Sequence, residues 1–152
     1  MRDLVERLLS ARRKAWFRSR PVFEGCAAAS DAEVAAIEAQ VGRRLSEDMR
    51  IWLVTAGFGD IDGTLSIRRE WFQLVEEGEL KGGFRFAQDE LGNFYACAPD
   101  GHRVVFFSRS EPAYAVIAPS FCSFVEELER RDYKVIEWMA SMKLAPYSWD
   151  AI

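Results

Sequence analysis

The sequence predicts an α+β fold, because helical and strand-like patterns are segregated along the chain. Up to about residue 56, capped segments carry apolar side chains three and four positions apart, which indicates helices. From Gly59 onward the pattern changes, and between about 84 and 118 it consists of short apolar runs separated by turns of four or five residues. Helical spacing returns after Pro119. Helices, then strands, then helices is the order of an α+β fold, whereas a parallel α/β fold alternates the two.

The first helix is predicted at about residues 3–18, a basic amphipathic segment that begins with the capping pair Asp3 and Glu6. The second has Ser30 as its cap and ends at Gly42, and the third begins near Ser46. Their apolar stripes predict the buried faces: Leu4, Val5 and Leu8; Val34, Ile37 and Val41; Met49, Trp52 and Leu53.

The strand region predicts an antiparallel meander, since Phe94–Ala98, Arg103–Phe107 and Ala113–Ala118 follow one another through short turns. Two of these runs are apolar at every position, so we expect them to be covered on both faces. After them, Ser120 caps a helix that buries Phe121, Phe124, Val125 and Leu128. A last helix is predicted at about residues 133–144.

Length and composition predict a single domain over residues 1–152. The chain is 49% hydrophobic, which is ample for a core. It has no apolar run of the roughly 20 residues that a membrane helix needs, so we expect no membrane insertion. Residues 1–20 lack the apolar centre of a secretory signal, which favours a cytoplasmic location.

Charge is unevenly distributed. Residues 1–20 hold seven basic and two acidic side chains, a net of +5, which leaves −9 for residues 21–152 because the whole chain carries −4. An acidic body repels nucleic acid and attracts basic proteins. The sequence therefore favours a protein partner over a nucleic acid.

Seven short motifs follow one another along the chain: Ser30-Asp31-Ala32-Glu33-Val34, Val41-Gly42, Leu45-Ser46, Gly57-Phe58-Gly59-Asp60, Phe86-Ala87-x-Asp89, Val104-Val105-Phe106 and Ser120-Phe121-x-x-Phe124. Together with the order of the elements, they resemble the SUKH superfamily, which includes fungal cell-wall regulators of the Smi/Knr type and many bacterial toxin-immunity proteins. The similar region covers about residues 30–131. Ser46 stands where the family usually has Pro, and Ala56-Gly57 stands where Asn-Gly is common.

The resemblance implies N-terminal helices packed on a curved, mainly antiparallel sheet of about four to six strands, closed by C-terminal helices. It also implies a non-catalytic protein-binding module, an immunity protein that neutralises a cognate toxin, such as a basic nuclease, by direct binding. A regulatory adaptor for cell-envelope synthesis is the alternative function. A small hydrolase or ligand-binding protein is a third.

The predicted partner-binding surface combines aromatic anchors with acidic loop residues. The anchors are Phe58 and Trp71, and the carboxylates are Asp60, Asp62, Asp89 and Glu90. No catalytic residue, metal site or cofactor is predicted. Asp60-Ile61-Asp62-Gly63 looks like the middle of a calcium loop, but Phe58 and Arg69 occupy the positions where acidic ligands are required.

Other candidate ligands are isolated. His102 is the only histidine, and a lone histidine in a turn is usually exposed and without a role. Cys26, Cys97 and Cys122 have unrelated spacings, which favours small buried side chains over a disulfide or metal site.

The basic N-terminal segment has three interpretations. Arginines mixed with Trp16 are typical of surfaces that bind nucleic acid or membranes. We favour a helix that packs its leucines on the acidic body and exposes its arginines. A homodimer contact through Leu4, Leu8 and Trp16 is the third interpretation.

Overall fold

The computed structural model describes residues 1–14 and 16–150. The helices are α1 (Arg2–Ser10), α2 (Asp31–Val41), α3 (Glu47–Thr55), α4 (Phe121–Arg130) and α5 (Val135–Ala140), with a short 3-10 helix at Arg69–Trp71. The strands are β1 (Arg12–Lys14), β2 (Ser19–Pro21), β3 (Phe23–Ala27), β4 (Phe58–Ile61), β5 (Leu65–Ile67), β6 (Gln73–Leu74), β7 (Phe84–Asp89), β8 (Phe94–Cys97), β9 (Val104–Ser108), β10 (Ala113–Ala118) and β11 (Ala145–Pro146).

The α+β class and the antiparallel sheet are confirmed. The main sheet has the strand order β11-β10-β9-β8-β7-β5-β4-β3. The short strand β6 pairs with the beginning of β7, on the same edge of β7 as β5. The main sheet thus has nine strands rather than four to six. The additional strands include residues 23–27 and 58–61, for which we predicted no strand. Strands of two to five residues are too short for alternation to distinguish them from loops.

Helix caps follow the predictions. The Ser30 hydroxyl accepts a hydrogen bond from the backbone N–H of Glu33 at 3.1 Å, and Gly42 ends α2 in the left-handed conformation with φ 72°. The hydroxyls of Ser46 and Ser120 cap α3 and α4 in the same way. Each hydroxyl satisfies an N–H group that has no partner within its helix.

The predicted helix over residues 3–18 is wrong beyond Ser10. The chain turns extended at Ala11, and residues 12–14 pair antiparallel with residues 19–21. At the open end of the hairpin, the backbone N–H of Val22 donates to the Ala11 carbonyl at 3.0 Å. Helical spacing would have placed Trp16 on the leucine face, whereas Trp16 lies in the connection of the hairpin and is almost fully exposed.

The last helix is also shorter than the predicted 133–144. Asp132 and Tyr133 have φ values of 55° and 60°, in the left-handed region, so α5 cannot begin before them. The helix ends at Ala140, and Ala145 and Pro146 then pair with the edge of β10.

All five helices lie on one face of the sheet and share one core. Leu4, Val5 and Leu8 of α1 belong to this core, which confirms that the first helix packs its leucines on the body. Trp52 of α3 and Phe121 of α4 meet edge to face at a centroid distance of 5.7 Å. Segments on both sides of residues 30–131 therefore contribute to the same core.

An ion-pair cluster on α4 predicts acid sensitivity. Arg130 and Arg131 donate to the Glu127 carboxylate through their Nε atoms at 2.8 and 2.6 Å, and these bonds lower the pKa of Glu127 to about 2. Because the unfolded pKa is roughly 4.3, the stabilisation is complete above that value and is lost as the pH falls toward 2.

Glu127→Gln is expected to lower the free energy of unfolding by about 1 kcal/mol at neutral pH. The difference from the wild type should shrink between pH 5 and pH 2, as measured by urea unfolding. Glu126→Gln, at the exposed neighbouring position, is the control. A difference that is constant over this pH range would contradict the assignment.

Candidate protein-binding surface

The structure does not bring the six predicted site residues together. Asp60 lies in β4, where its carboxylate accepts two hydrogen bonds from Nη2 of Arg68 at 2.8 and 3.1 Å. Asp62 follows in the β4–β5 turn with φ 52° and accepts from Nε of Arg13 at 2.7 Å. Both carboxylates are therefore already paired with arginine.

Asp89 was predicted as a contact residue, but it is buried, with 5% of its surface exposed. Its Oδ1 accepts hydrogen bonds from the backbone N–H groups of Leu91 and Asn93 at 3.0 and 3.1 Å. Its Oδ2 accepts from the hydroxyl of Tyr95 at 3.0 Å. Asp89 therefore organises the β7–β8 turn and is unavailable to a partner, which corrects the prediction.

Glu90 is exposed, but its surroundings are not acidic. Together with Asp62 it lines an open groove of about 510 Å³ that also contains Arg13, Arg20 and Lys134. Arg20 Nη2 lies 3.5 Å from the Asp62 carboxylate. The predicted acidic loop surface is thus a groove of mixed charge.

The two predicted aromatic anchors differ in exposure. Phe58 is 8% exposed and packs edge to face on Phe72 at a centroid distance of 6.3 Å, so the expectation of an exposed anchor there is wrong. Trp71 is half-buried in the short 3-10 helix. A Phe between two glycines gives no sequence signal that separates a strand residue facing the core from a loop residue.

The histidine and cysteine side chains that could serve as ligands or nucleophiles do not come together in the part of the chain that the structure describes. His102 is exposed, Cys26 is exposed rather than buried as expected, and burial raises the pKa of the Cys97 thiol to about 12. Among residues 1–14 and 16–150, no three His, Cys, Asp or Glu side chains converge as metal ligands. Over the same residues, no helix has the length and apolar character to cross a bilayer.

A different surface emerges on the side of the sheet opposite the helices, here called the open face. Side chains that are direct cross-strand partners lie on the same face of a sheet. One continuous row of such partners crosses seven strands of the open face, from an acidic to an aromatic end: Glu24, Asp60, Ser66, Gln88, Phe94, Phe107 and Tyr114. None of the seven is fully buried.

Part of the open face is covered by two irregular segments, residues 75–83 and residues 147–149; the second, which follows β11, is called the strap. They form a second, smaller apolar cluster, composed of Leu80, Ala98, Val105 and Tyr147 with Val75, Phe107 and Tyr114 at its margin. Since Val105 alternates with Val104 of the main core, β9 is apolar on both faces, as predicted. Its outer cover is a loop and the strap rather than a helix.

Hydrogen bonds fasten the strap to the loop that it crosses. The Tyr147 hydroxyl donates to the Glu77 carbonyl at 2.7 Å and accepts from the backbone N–H of Leu80 at 3.1 Å. The backbone N–H of Glu79 donates to the Ser148 carbonyl at 3.0 Å, and that of Ser148 donates to the Glu79 carboxylate at 3.0 Å. These bonds give the strap a defined position without regular secondary structure.

The strap and the sheet enclose a shallow depression, here called the aromatic groove. It is lined by Val75, Leu80, Arg85, Phe94, Ala96, Phe107, Tyr147 and Trp149. The Arg85 guanidinium lies over the Phe94 ring at 4.5 Å, and the Trp149 ring lies 4.8 Å from that of Tyr147. Trp149 remains 52% exposed, and Leu74 nearby is also exposed.

Carboxylates border this groove, and we call Glu76 and Glu77 the acidic rim. Both are exposed and line an adjoining open hollow of about 250 Å³ with Leu74, Arg85 and Trp149. In the described part of the chain, neither rim carboxylate forms an ion pair within 4.0 Å. An exposed Trp beside unpaired carboxylates can contact a basic protein surface.

Sequence reasoning missed the rim and Trp149. One signal for the groove was present, because the apolar run at residues 104–107 required a cover on its outer face. We expected helices to supply it. Tyr147 and Trp149 are aromatic residues beyond the last helix, and they could have been considered as the cover of this outer face.

The chain matches no protein-family model, and a search of curated proteins also returned no match. The resemblance described above therefore enters only as part of the proposal that follows.

Proposed function

We propose that this protein is a non-catalytic, cytoplasmic binding module that neutralises a basic protein toxin by direct contact. The aromatic groove with its acidic rim is the observation that carries this proposal. It places an exposed Trp, which is typical of interface anchors, next to carboxylates that have no ion-pair partner. The resemblance to immunity proteins of the SUKH type agrees with it.

Charge supports a basic partner. Residues 21–152 carry a net charge of −9, and four carboxylates fall within residues 70–79, the segment that contains the rim. Complementary charge mainly accelerates association and selects the partner, whereas buried aromatic anchors slow dissociation. The groove supplies both kinds of group on one surface.

A growth-protection assay tests the proposal. If the neighbouring gene encodes a basic toxin domain, that domain is expressed with the wild type, with Glu76→Lys/Glu77→Lys or with Trp149→Ala. Because both changes lie at the surface, we expect the variants to fold. We expect each to bind the toxic domain at least about 10-fold more weakly, as measured by calorimetry, and to protect less well.

The control for the charge reversal is Glu6→Lys/Glu126→Lys, which changes the net charge equally on the helical side of the molecule. It should protect as well as the wild type. Equal losses in the control and the rim variant would show a non-specific charge effect and overturn the assigned surface. Wild-type protein that neither binds the toxic domain nor protects would overturn the proposed function itself.

A further inference from the structure

The most exposed aromatic residues of the described chain lie in the β1–β2 hairpin, of which the structure describes residues 12–14 and 16–21, here called the finger. Trp16 and Phe17 are 90% and 91% exposed, and their rings meet edge to face at 5.9 Å. Each aromatic side chain can bury on the order of 150–250 Å² in a contact. Two adjacent exposed aromatic residues at one tip indicate an interaction site.

The base of the finger is fixed to the body. The Arg13 guanidinium donates to the Asp62 carboxylate at 2.7 Å, to the Asp132 carboxylate at 3.0 Å and to the Asp132 carbonyl at 2.8 Å. These carboxylates raise the pKa of Arg13 above its ordinary value. Arg12 braces the two strands by donating to the hydroxyl and carbonyl of Ser19. A preorganised finger loses little conformational entropy on binding.

Unpaired cations flank the tip. Of the five basic side chains in residues 12–20, Arg13 and Arg20 pair with carboxylates. The other three, Arg12, Lys14 and Arg18, are exposed and have no carboxylate partner within 4.0 Å in the part of the chain that the structure describes. The finger therefore fits an apolar surface bordered by negative charge.

The charge of the rest of the protein favours one binding partner for the finger, a second copy of the chain. With a net charge of −9, residues 21–152 oppose approach to an anionic bilayer or a nucleic acid, but they attract the finger of another copy. The chain also carries a surface that matches the finger: Trp149 and Leu74 are exposed beside the unpaired carboxylates of the rim.

We propose that the finger of one copy binds the aromatic groove and acidic rim of a second copy. Trp16 and Phe17 would cover Leu74 and Trp149, and the flanking cations would face Glu76 and Glu77. Finger and groove are different surfaces, so reciprocal contacts give a closed dimer and one-way contacts give a chain of copies. In either arrangement, self-association covers the face that the proposed function assigns to a partner.

Sedimentation velocity of the full chain over a concentration series tests the proposal. The wild type should self-associate, and added salt should weaken the association. The finger variant, Trp16→Ser/Phe17→Ser, and the rim variant, Glu76→Lys/Glu77→Lys, should each associate at least about 10-fold more weakly. Glu6→Lys/Glu126→Lys should associate like the wild type.

Mixing the two deficient variants is the decisive measurement. The finger variant keeps an intact groove and the rim variant keeps an intact finger, so an equimolar mixture should form a complex that neither forms alone. Circular dichroism establishes that both variants are folded. A mixture that stays monomeric, or a wild type that is monomeric throughout, overturns the proposal.

Two further probes identify the other classes of occupant. The wild type is tested for binding to vesicles that contain phosphatidylserine and to single-stranded DNA. If it binds either one but stays monomeric, and the finger variant does not bind, the finger is reassigned to that ligand. The inference does not rest on toxin binding, since it is measured on the protein alone. The finger variant should still protect cells, so the two proposals can fail separately.

Discussion

Asp89→Ala is expected to lower the free energy of unfolding by about 3 kcal/mol. The carboxylate accepts hydrogen bonds from two backbone N–H groups of the β7–β8 turn and from the hydroxyl of Tyr95. Tyr95 itself is fully buried, and the combination of burial and the neighbouring carboxylate raises its pKa. Removing the acceptor leaves these donors unsatisfied within the protein, and a buried donor without a partner costs about 1–3 kcal/mol.

Urea unfolding measures this loss, and the chain supplies a matched control. Glu90 is the next residue but is exposed, so Glu90→Ala should change the stability by less than about 0.5 kcal/mol. Asp89→Asn retains one acceptor oxygen and should cost less than Asp89→Ala. In a double-mutant cycle, Tyr95→Phe should reduce the effect of Asp89→Ala by about 1 kcal/mol. Equal effects at positions 89 and 90 would refute the buried role of Asp89.

Gly78→Ala is also expected to lower the free energy of unfolding by about 3 kcal/mol. Gly78 has φ 81°, a conformation that L-residues adopt at a cost of about 1–2 kcal/mol. A Cβ at this position would also lie 2.3 Å from Cε1 of Tyr147. The Tyr147 ring cannot move aside without breaking the bonds of its hydroxyl to the residue 77–80 loop.

Gly42→Ala separates the cost of the backbone conformation from the cost of the close contact with a neighbouring side chain. Gly42 has φ 72°, but a Cβ there meets no atom within 4 Å, so this variant should show the backbone cost alone, about 1 kcal/mol. Hydrogen exchange should show loss of protection at Tyr147 and Ser148 in Gly78→Ala but not in Gly42→Ala. Equal losses of stability in the two variants would show that the strap does not depend on close approach to Gly78.

The strap connects this prediction to the proposed function. Trp149 and Tyr147 belong to the aromatic groove, and both are positioned by contacts to the loop that bears the acidic rim. Gly78→Ala should therefore weaken toxin-domain binding as well as stability, although no atom of Gly78 is needed in the interface.

Elements whose stability is local could be predicted from the residue pattern alone. Ser30, Ser46 and Ser120 each satisfy a backbone N–H group within their own helix, so cap and apolar spacing suffice to locate α2, α3 and α4. The meander of β8, β9 and β10 was likewise predictable, because its strands are neighbours in sequence and joined by short turns.

The side chains that remain available to a partner are set by contacts between distant parts of the chain. Asp89 and Glu90 are adjacent and chemically similar, yet one lies under a turn that it organises and the other faces solvent. The Arg13 clamp joins the finger to Asp62 and Asp132, which lie 49 and 119 residues away along the chain. The groove unites strands of the sheet with Trp149 of the strap. Such contacts depend on how the chain returns upon itself, and local spacing carries no information about that.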